Sequence, residues 1–144
     1  METGKSVGYR IVRCKELSFE SKIVSNGKVP GKSVSYQFGC QIQPRQENHL
    51  AFILSVVTLI EGNQAFKLEA ETVFEISPMD AAVSVDDSGQ LVDHVGIIPT
   101  LFGLSFSTMR GMVAVRTAGT VLENYPIPII DATAAVKNLM TRKS

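Results

Sequence analysis

The sequence predicts an α+β domain: a four-stranded antiparallel sheet, then a crossover, one long helix packed on the sheet and a short C-terminal helix. Three observations predict it. Residues 33–43 alternate apolar and polar side chains without a break, the period of a strand with one wet face. Other strand-like segments surround this one, with turn chemistry between them, which favours antiparallel neighbours. After Asp93 the apolar period lengthens to that of a helix.

The first strand is expected over Tyr9 to Glu20. Its alternation is imperfect: Tyr9, Ile11, Leu17 and Phe19 share a parity with Arg13 and Lys15, while Val12 and Cys14 take the other. A bulge around Cys14 to Glu16, or burial on both faces for part of the length, accounts for this. Asn26-Gly27 and Pro30-Gly31 then predict a loop over residues 25–32. In the second strand, Ser33 to Gln43, Val34, Tyr36, Phe38, Cys40 and Ile42 face one way and serines and glutamines the other. The third, His49 to Ile60, is apolar on both parities and suits a central position. Glu61-Gly62-Asn63 makes a tight hairpin, with Gly62 or Asn63 at positive φ. The fourth, Gln64 to Ser77, points Phe66, Leu68, Ala70, Thr72, Phe74 and Ile76 inward and Lys67, Glu69, Glu71 and Glu75 outward. Residues 80–93 are mixed and acidic, with a turn at Asp86-Asp87 and Ser88-Gly89 and room for a short helix.

The long helix starts at Ile97, with Pro99 in the first turn, where a missing N–H costs nothing. It carries two apolar stripes: Leu101, Leu104, Thr108, Met112 and Val115, and Ile98, Phe102, Phe106, Met109 and Val113. Two stripes imply burial from two sides. A third line, Gly103, Ser107, Gly111 and Val115, is mostly small and would let another backbone come close; these four are the candidate oligomer-interface residues. Gly weakens a helix interior by about 1 kcal/mol, so two in one helix call for a packing reason. A start near Ser105, with Gly103 in a loop, is the alternative. Gly119 is placed to end the helix. Tyr125 to Ile130 reads as extended because each Pro steers its predecessor away from helix. Asp131 N-caps a last helix, Ala132 to Met140, with Val136, Leu139 and Met140 on its apolar side.

Fourteen basic residues balance fourteen acidic ones, and no basic run argues for nucleic acid. Charged residues are 19% against 44% hydrophobic, a low charge content that fits surface hidden in an oligomer. Met1 to Gly8 is polar and lacks the apolar core of a signal peptide. Ile97 to Val115 is apolar but contains Pro99 and Arg110, which weighs against membrane insertion. Cys14 and Cys40 lie on different strands, without a CxxC pair, and read as two thiols of a reducing cytoplasm.

No catalytic constellation is legible. His49 and His94 are the only histidines, the Asp80 to Asp93 carboxylates lack a calcium-loop spacing, and no GxGxxG, GxxxxGK or GxSxG occurs. The expectation is a protein without enzymatic activity, metal or cofactor.

The ordered motifs resemble the SecB family of export chaperones. Tyr9-Arg10-Ile11-Val12-Arg13 and Lys15-Glu16-Leu17-Ser18-Phe19-Glu20 are similar to that family's first strand. The hairpin from Phe52 to Ile76, with Ala65-Phe66 and Val73-Phe74-Glu75-Ile76, resembles theirs, as does Pro126 to Ile130 before the last helix. Phe106 and Arg110 match the Phe and Arg of the family's Leu-Phe-Pro-Tyr-Ala-Arg-Glu stretch, while Ser107 stands for its Pro and Gly111 for its Glu. The resemblance implies one SecB-like domain over residues 1–144. It also implies a tetramer built as a dimer of dimers, and apolar grooves that hold unfolded polypeptides without ATP. The family's tail engages the SecA motor. The short Thr141-Arg142-Lys143-Ser144 end and the neutral charge put that contact, and a role in export, in doubt.

For such a holding chaperone the candidate groove walls are Tyr36, Phe38, Phe52, Phe74 and Phe102, some of which must be ordinary core. A small-ligand-binding domain or enzyme would instead converge Arg13, Arg110, His49 and Tyr36 on a polar pocket. A structural or regulatory oligomer, or an antitoxin-associated partner, is the third alternative.

Overall fold

The computed structural model describes residues 7–22, 33–128 and 130–141, with side chains as far as Lys137. The loop expected over 25–32 falls outside the described residues, as do Ile129 and the side chains of Leu139 and Met140. The elements run β1 (Gly8–Ser21), β2 (Val34–Arg45), β3 (His49–Ile60), β4 (Asn63–Ser77), α1 (Met79–Ala82), β5 (Val83–Val85), β6 (Leu91–Asp93), α2 (Ile97–Thr117) and α3 (Ala132–Thr141).

The large sheet is antiparallel in the order β1-β4-β3-β2. Strands β2, β3 and β4 form a meander, and β1 returns beside β4, a Greek-key arrangement. The sequential links therefore do not make β1 and β2 neighbours; they are the two edges. That separation keeps Cys14 and Cys40 apart, and both are free thiols. The β3–β4 turn has positive φ at Glu61 (52°) and Gly62 (83°), not at Asn63. Two positive values in a two-residue loop match the twist of the flanking strands. The irregularity of β1 comes from two bulges, between Ile11 and Arg13 and between Glu16 and Ser18, rather than one near Cys14.

One face of the sheet, the helix face, carries Leu50, Phe52, Leu54, Val56, Phe66, Leu68, Phe74 and Ile76, which form the core with Ile98, Leu101, Phe102, Phe106, Met109 and Val113 of α2. The helix begins at Ile97, so Gly103 is helical and the later start is excluded. Asp93 holds that beginning in place. Its carboxylate accepts the N–H groups of Ile97 (2.9 Å) and Ile98 (2.8 Å), two of the donors a helix start leaves orphaned, and Pro99 has none to satisfy. At the other end Arg116 makes a two-pronged ion pair with Glu16 of β1 and lies over the Phe19 ring, 4.4 Å from its centroid. Gly119, at φ 81°, leads the chain out of the helix. α2 is long and apolar enough to cross a membrane, and one side of it goes into this packing.

Within one chain α2 is buried on one side only. Ile98, Phe102, Phe106, Met109 and Val113 are covered; in the other expected stripe Leu101 is covered but Leu104 and Val115 are exposed. The acidic crossover contains, besides the short α1, the β5–β6 hairpin. Its turn is held by the Asp86 carboxylate, which accepts from the N–H groups of Ser88 and Gln90 and the Ser88 hydroxyl.

A candidate polypeptide-binding groove

An apolar cavity of about 230 Å³ opens between β2, β3, α2 and the chain leading into α3. Its residues come from strand alternation on one side and helical spacing on the other. Phe38 and Cys40 project from β2 and Leu54 from β3; Phe102, Phe106 and Met109 follow at helical intervals; Ile130 and Ala135 close the far side. The rings form a connected wall. Phe38 meets Phe106 edge-to-face at 5.4 Å, Phe106 stacks with Phe102 at 6.0 Å, and Tyr36 stacks with Phe38 at 6.3 Å. Phe38 remains 41% exposed, so the wall has an open side. No charged side chain lines the cavity among the described residues. Burial pushes the Cys40 thiol up to about 12, so it serves as a small apolar surface.

The five sequence-predicted wall residues divide. Phe38 and Phe102 line the cavity, and Tyr36 flanks it, its hydroxyl donating to the Tyr125 carbonyl at 3.1 Å. Phe52 and Phe74 do not: both are fully buried and pack edge-to-face at 5.6 Å under the middle of the sheet. They belong to the core because they sit on the two inner strands, directly beneath α2. Sequence reasoning left Phe106, Met109, Leu54 and Cys40 out of the wall. The signal for Phe106 was its spacing of four from Phe102.

The residues of the polar-pocket alternative do not converge. Arg13 and His49 lie on the open face of the sheet, where Arg13 pairs with Glu71 at 3.1 Å. Arg110 donates to the Ile127 carbonyl at 3.1 Å on the helix side. Of the interface candidates, Gly103 faces α3 of its own chain, where an added Cβ would stand 3.6 Å from that of Ala132; Gly111 faces open space. Among the described residues no three His, Cys, Asp or Glu side chains group as metal ligands.

No protein-family model and no curated protein matches the sequence. The fold does match a solved structure, the SecB-like chaperone Rv1957 of Mycobacterium tuberculosis in complex with a ChAD peptide from the Rv1956 HigA1 antitoxin, with a TM-score of 0.56 and 13% identity over 85% of this chain and 89% of that one. The fold is SecB-like. At 13% identity the likeness carries the fold alone, and the character of the groove comes from this chain's own residues.

Proposed function

We propose that this SecB-like protein is a non-enzymatic holding chaperone of the cytoplasm that binds unfolded or extended polypeptides without ATP. The observation that carries the reading is the open, uncharged aromatic groove. Unfolded chains share apolar side chains and little else, and a wall of Phe38, Phe102 and Phe106 asks for apolar area rather than a particular shape. Burying roughly 400 Å² of client surface would gain about 10 kcal/mol before ordering costs, which leaves broad, moderate affinity.

The proposed assembly is a tetramer, a dimer of dimers. Two surfaces support it. On α2, Leu104 and Val115 are 39% and 77% exposed beside Ser107, Gly111 and Ala114, a strip without a charged residue. On β1, Tyr9, Ile11 and Leu17 are exposed. A link to export belongs to the same proposal, on the resemblance of the first strand and the Phe52 to Ile76 hairpin to the SecB family.

The test is light scattering of a chemically unfolded substrate diluted into buffer, with and without equimolar protein and no nucleotide. Suppression is expected and should change little between low and high salt, because the chain has no net charge to steer clients. No suppression across several unrelated substrates sinks the reading. A second reading, a chaperone dedicated to one antitoxin segment, is favoured by the peptide bound to the Mycobacterium tuberculosis neighbour. It predicts tight binding of one segment and none of unrelated ones.

A further inference from the structure

We propose that a second cavity, beside the C-terminal half of α2, binds a small zwitterion with an apolar body, the chemistry of a free apolar amino acid. The site is independent of the holding-chaperone reading, since the cavity shares no lining residue with the client groove and is more enclosed. Its volume is about 320 Å³. Val113, Thr117 and Ile127, all buried, line its depth, and Pro126 stands beside them. The Thr117 hydroxyl turns back to donate to the Val113 carbonyl at 2.8 Å, so that group is already satisfied. The chain itself ties the walls in place. Gly119, at φ 81°, turns the backbone out of α2, the Thr120 hydroxyl donates to the Thr117 carbonyl at 2.7 Å, and the Tyr36 hydroxyl holds the Tyr125 carbonyl at 3.1 Å. A site built in advance loses little to ordering when a ligand enters.

Two opposite charges complete the lining, Arg110 and Glu123. Half-buried Arg110 donates from Nε to the Ile127 carbonyl at 3.1 Å. That bond orients the guanidinium and leaves Nη1 and Nη2 without a partner among the described residues. Two such nitrogens are the donor pair that a carboxylate takes with both its oxygens. Glu123 accepts the Gly119 N–H with Oε1 at 2.7 Å, and its Oε2 has no partner among the described residues. It lies at the end of α2, where the helix dipole favours a positive charge. No ion pair joins Arg110 to Glu123 among the described residues. Each charge is instead held by a backbone group of its own, with an apolar surface between. One ligand satisfies both: its carboxylate on Arg110, its ammonium on Glu123, its apolar body against Val113 and Ile127. Apolar cavities with a few fixed polar groups are the usual form of small-molecule sites. The interior of a polypeptide does not meet this description, because there both ends of every residue are consumed in peptide bonds.

The test is isothermal titration calorimetry of the full-length protein at neutral pH with L-leucine, L-isoleucine and L-phenylalanine. At least one should bind. For whichever binds most tightly, its amide, which lacks the carboxylate, and its deamino acid, which lacks the ammonium, should each bind at least about tenfold more weakly, since each forfeits a charge-assisted contact. No binding by any of the three overturns the proposal, and so do analogues that bind as well as the amino acid, the result expected if it merely entered the uncharged client groove. Two variants assign the charges. Arg110→Gln should bring the amino acid and its amide to within about threefold of each other, and Glu123→Gln, which keeps an acceptor for Gly119, should do the same for the amino acid and its deamino acid. Differences that persist in both variants place recognition elsewhere and overturn the assignment. If Arg110→Gln does not fold, the exposed Glu123 and the wild-type analogues decide. Ala114 lines this cavity and also belongs to the exposed strip of α2. A fall in sedimenting mass for Glu123→Gln, with no amino acid bound by the wild type, would put a second copy's side chain in the cavity and overturn the proposal.

Discussion

Glu71 is a buried carboxylate on the face of the sheet that no helix covers among the described residues. Arg13 reaches it from β1 at 3.1 Å and Arg45 from the end of β2 at 2.8 Å, so one acid ties both edges together across β4 and β3. Ala51 and Val73, which pair with each other across β3 and β4, are fully buried on the same face. The alternation of β4 assigned Glu71 to solvent. Nothing in the sequence showed that two distant arginines would converge there, because that depends on β1 returning to β4. Burial pushes the Glu71 pKa up, but the hydrogen bonds and charges of Arg45 and Arg13 outweigh it and hold the carboxyl below its ordinary 4.5. Its contribution to stability is therefore full above the unfolded value and is lost as pH falls through the lower folded value. Glu71→Gln should lose about 2 kcal/mol at pH 7, and the gap to wild type should close below pH 4 in urea titrations. A gap that stays constant with pH would dissociate the loss from ionisation. Cys40 gives a second expectation. With its thiol pushed up to about 12, iodoacetamide at pH 8 should alkylate it roughly 10³-fold more slowly in the native protein than in urea.

At the level of single elements, the strands of the large sheet and α2 were legible because each carries a long, unbroken periodicity. The β5–β6 hairpin was not, since three-residue strands are too short to show a period; only its turn residues stood out. The cap of α2 was also hidden. Asp93 precedes Ile97 by four positions, outside the usual capping position, and reaches the helix only because Gly96 turns the chain with φ at 73°. Asp93→Ala should cost about 1–2 kcal/mol, measured as a lower thermal midpoint, while Asp93→Asn should keep part of the stability by preserving an acceptor. Equal losses for the two would mean that accepting hydrogen bonds is not the role of Asp93. The cavity wall was half legible: Phe38 and Phe102 were readable as aromatics, but alternation alone does not tell an edge strand from an inner one, and that difference separates Phe38 from Phe52 and Phe74.

For the whole molecule, the exposed strip on α2 makes a separable prediction about assembly. Sedimentation equilibrium at micromolar concentration should give a species larger than a dimer, and a clean monomer would refute this. An added Cβ at Gly111 meets nothing within 4 Å in its own chain. Gly111→Leu should therefore stabilise an isolated helix by up to about 1 kcal/mol yet lower the sedimenting mass. Unchanged mass and melting temperature would mean that no second backbone approaches there. The helix's two apolar stripes were read as burial on two sides; one chain supplies the first, and the proposed assembly would supply the second.

The placement of β1 beside β4 has a consequence for how the chain comes to be folded. Arg10 and its partner Glu75 are 65 residues apart, whereas β2, β3 and β4 are joined by short turns. During vectorial synthesis β1 emerges first and has no neighbour until β4 has followed it out. Closing so long a loop carries an entropic cost that the meander does not meet, and non-local pairings of this kind slow folding. The meander is therefore positioned to form early and β1 to dock late, bringing the Glu16–Arg116 clasp with it. The nascent protein thus spends part of its own synthesis with an unpaired strand, the kind of segment its groove is proposed to hold.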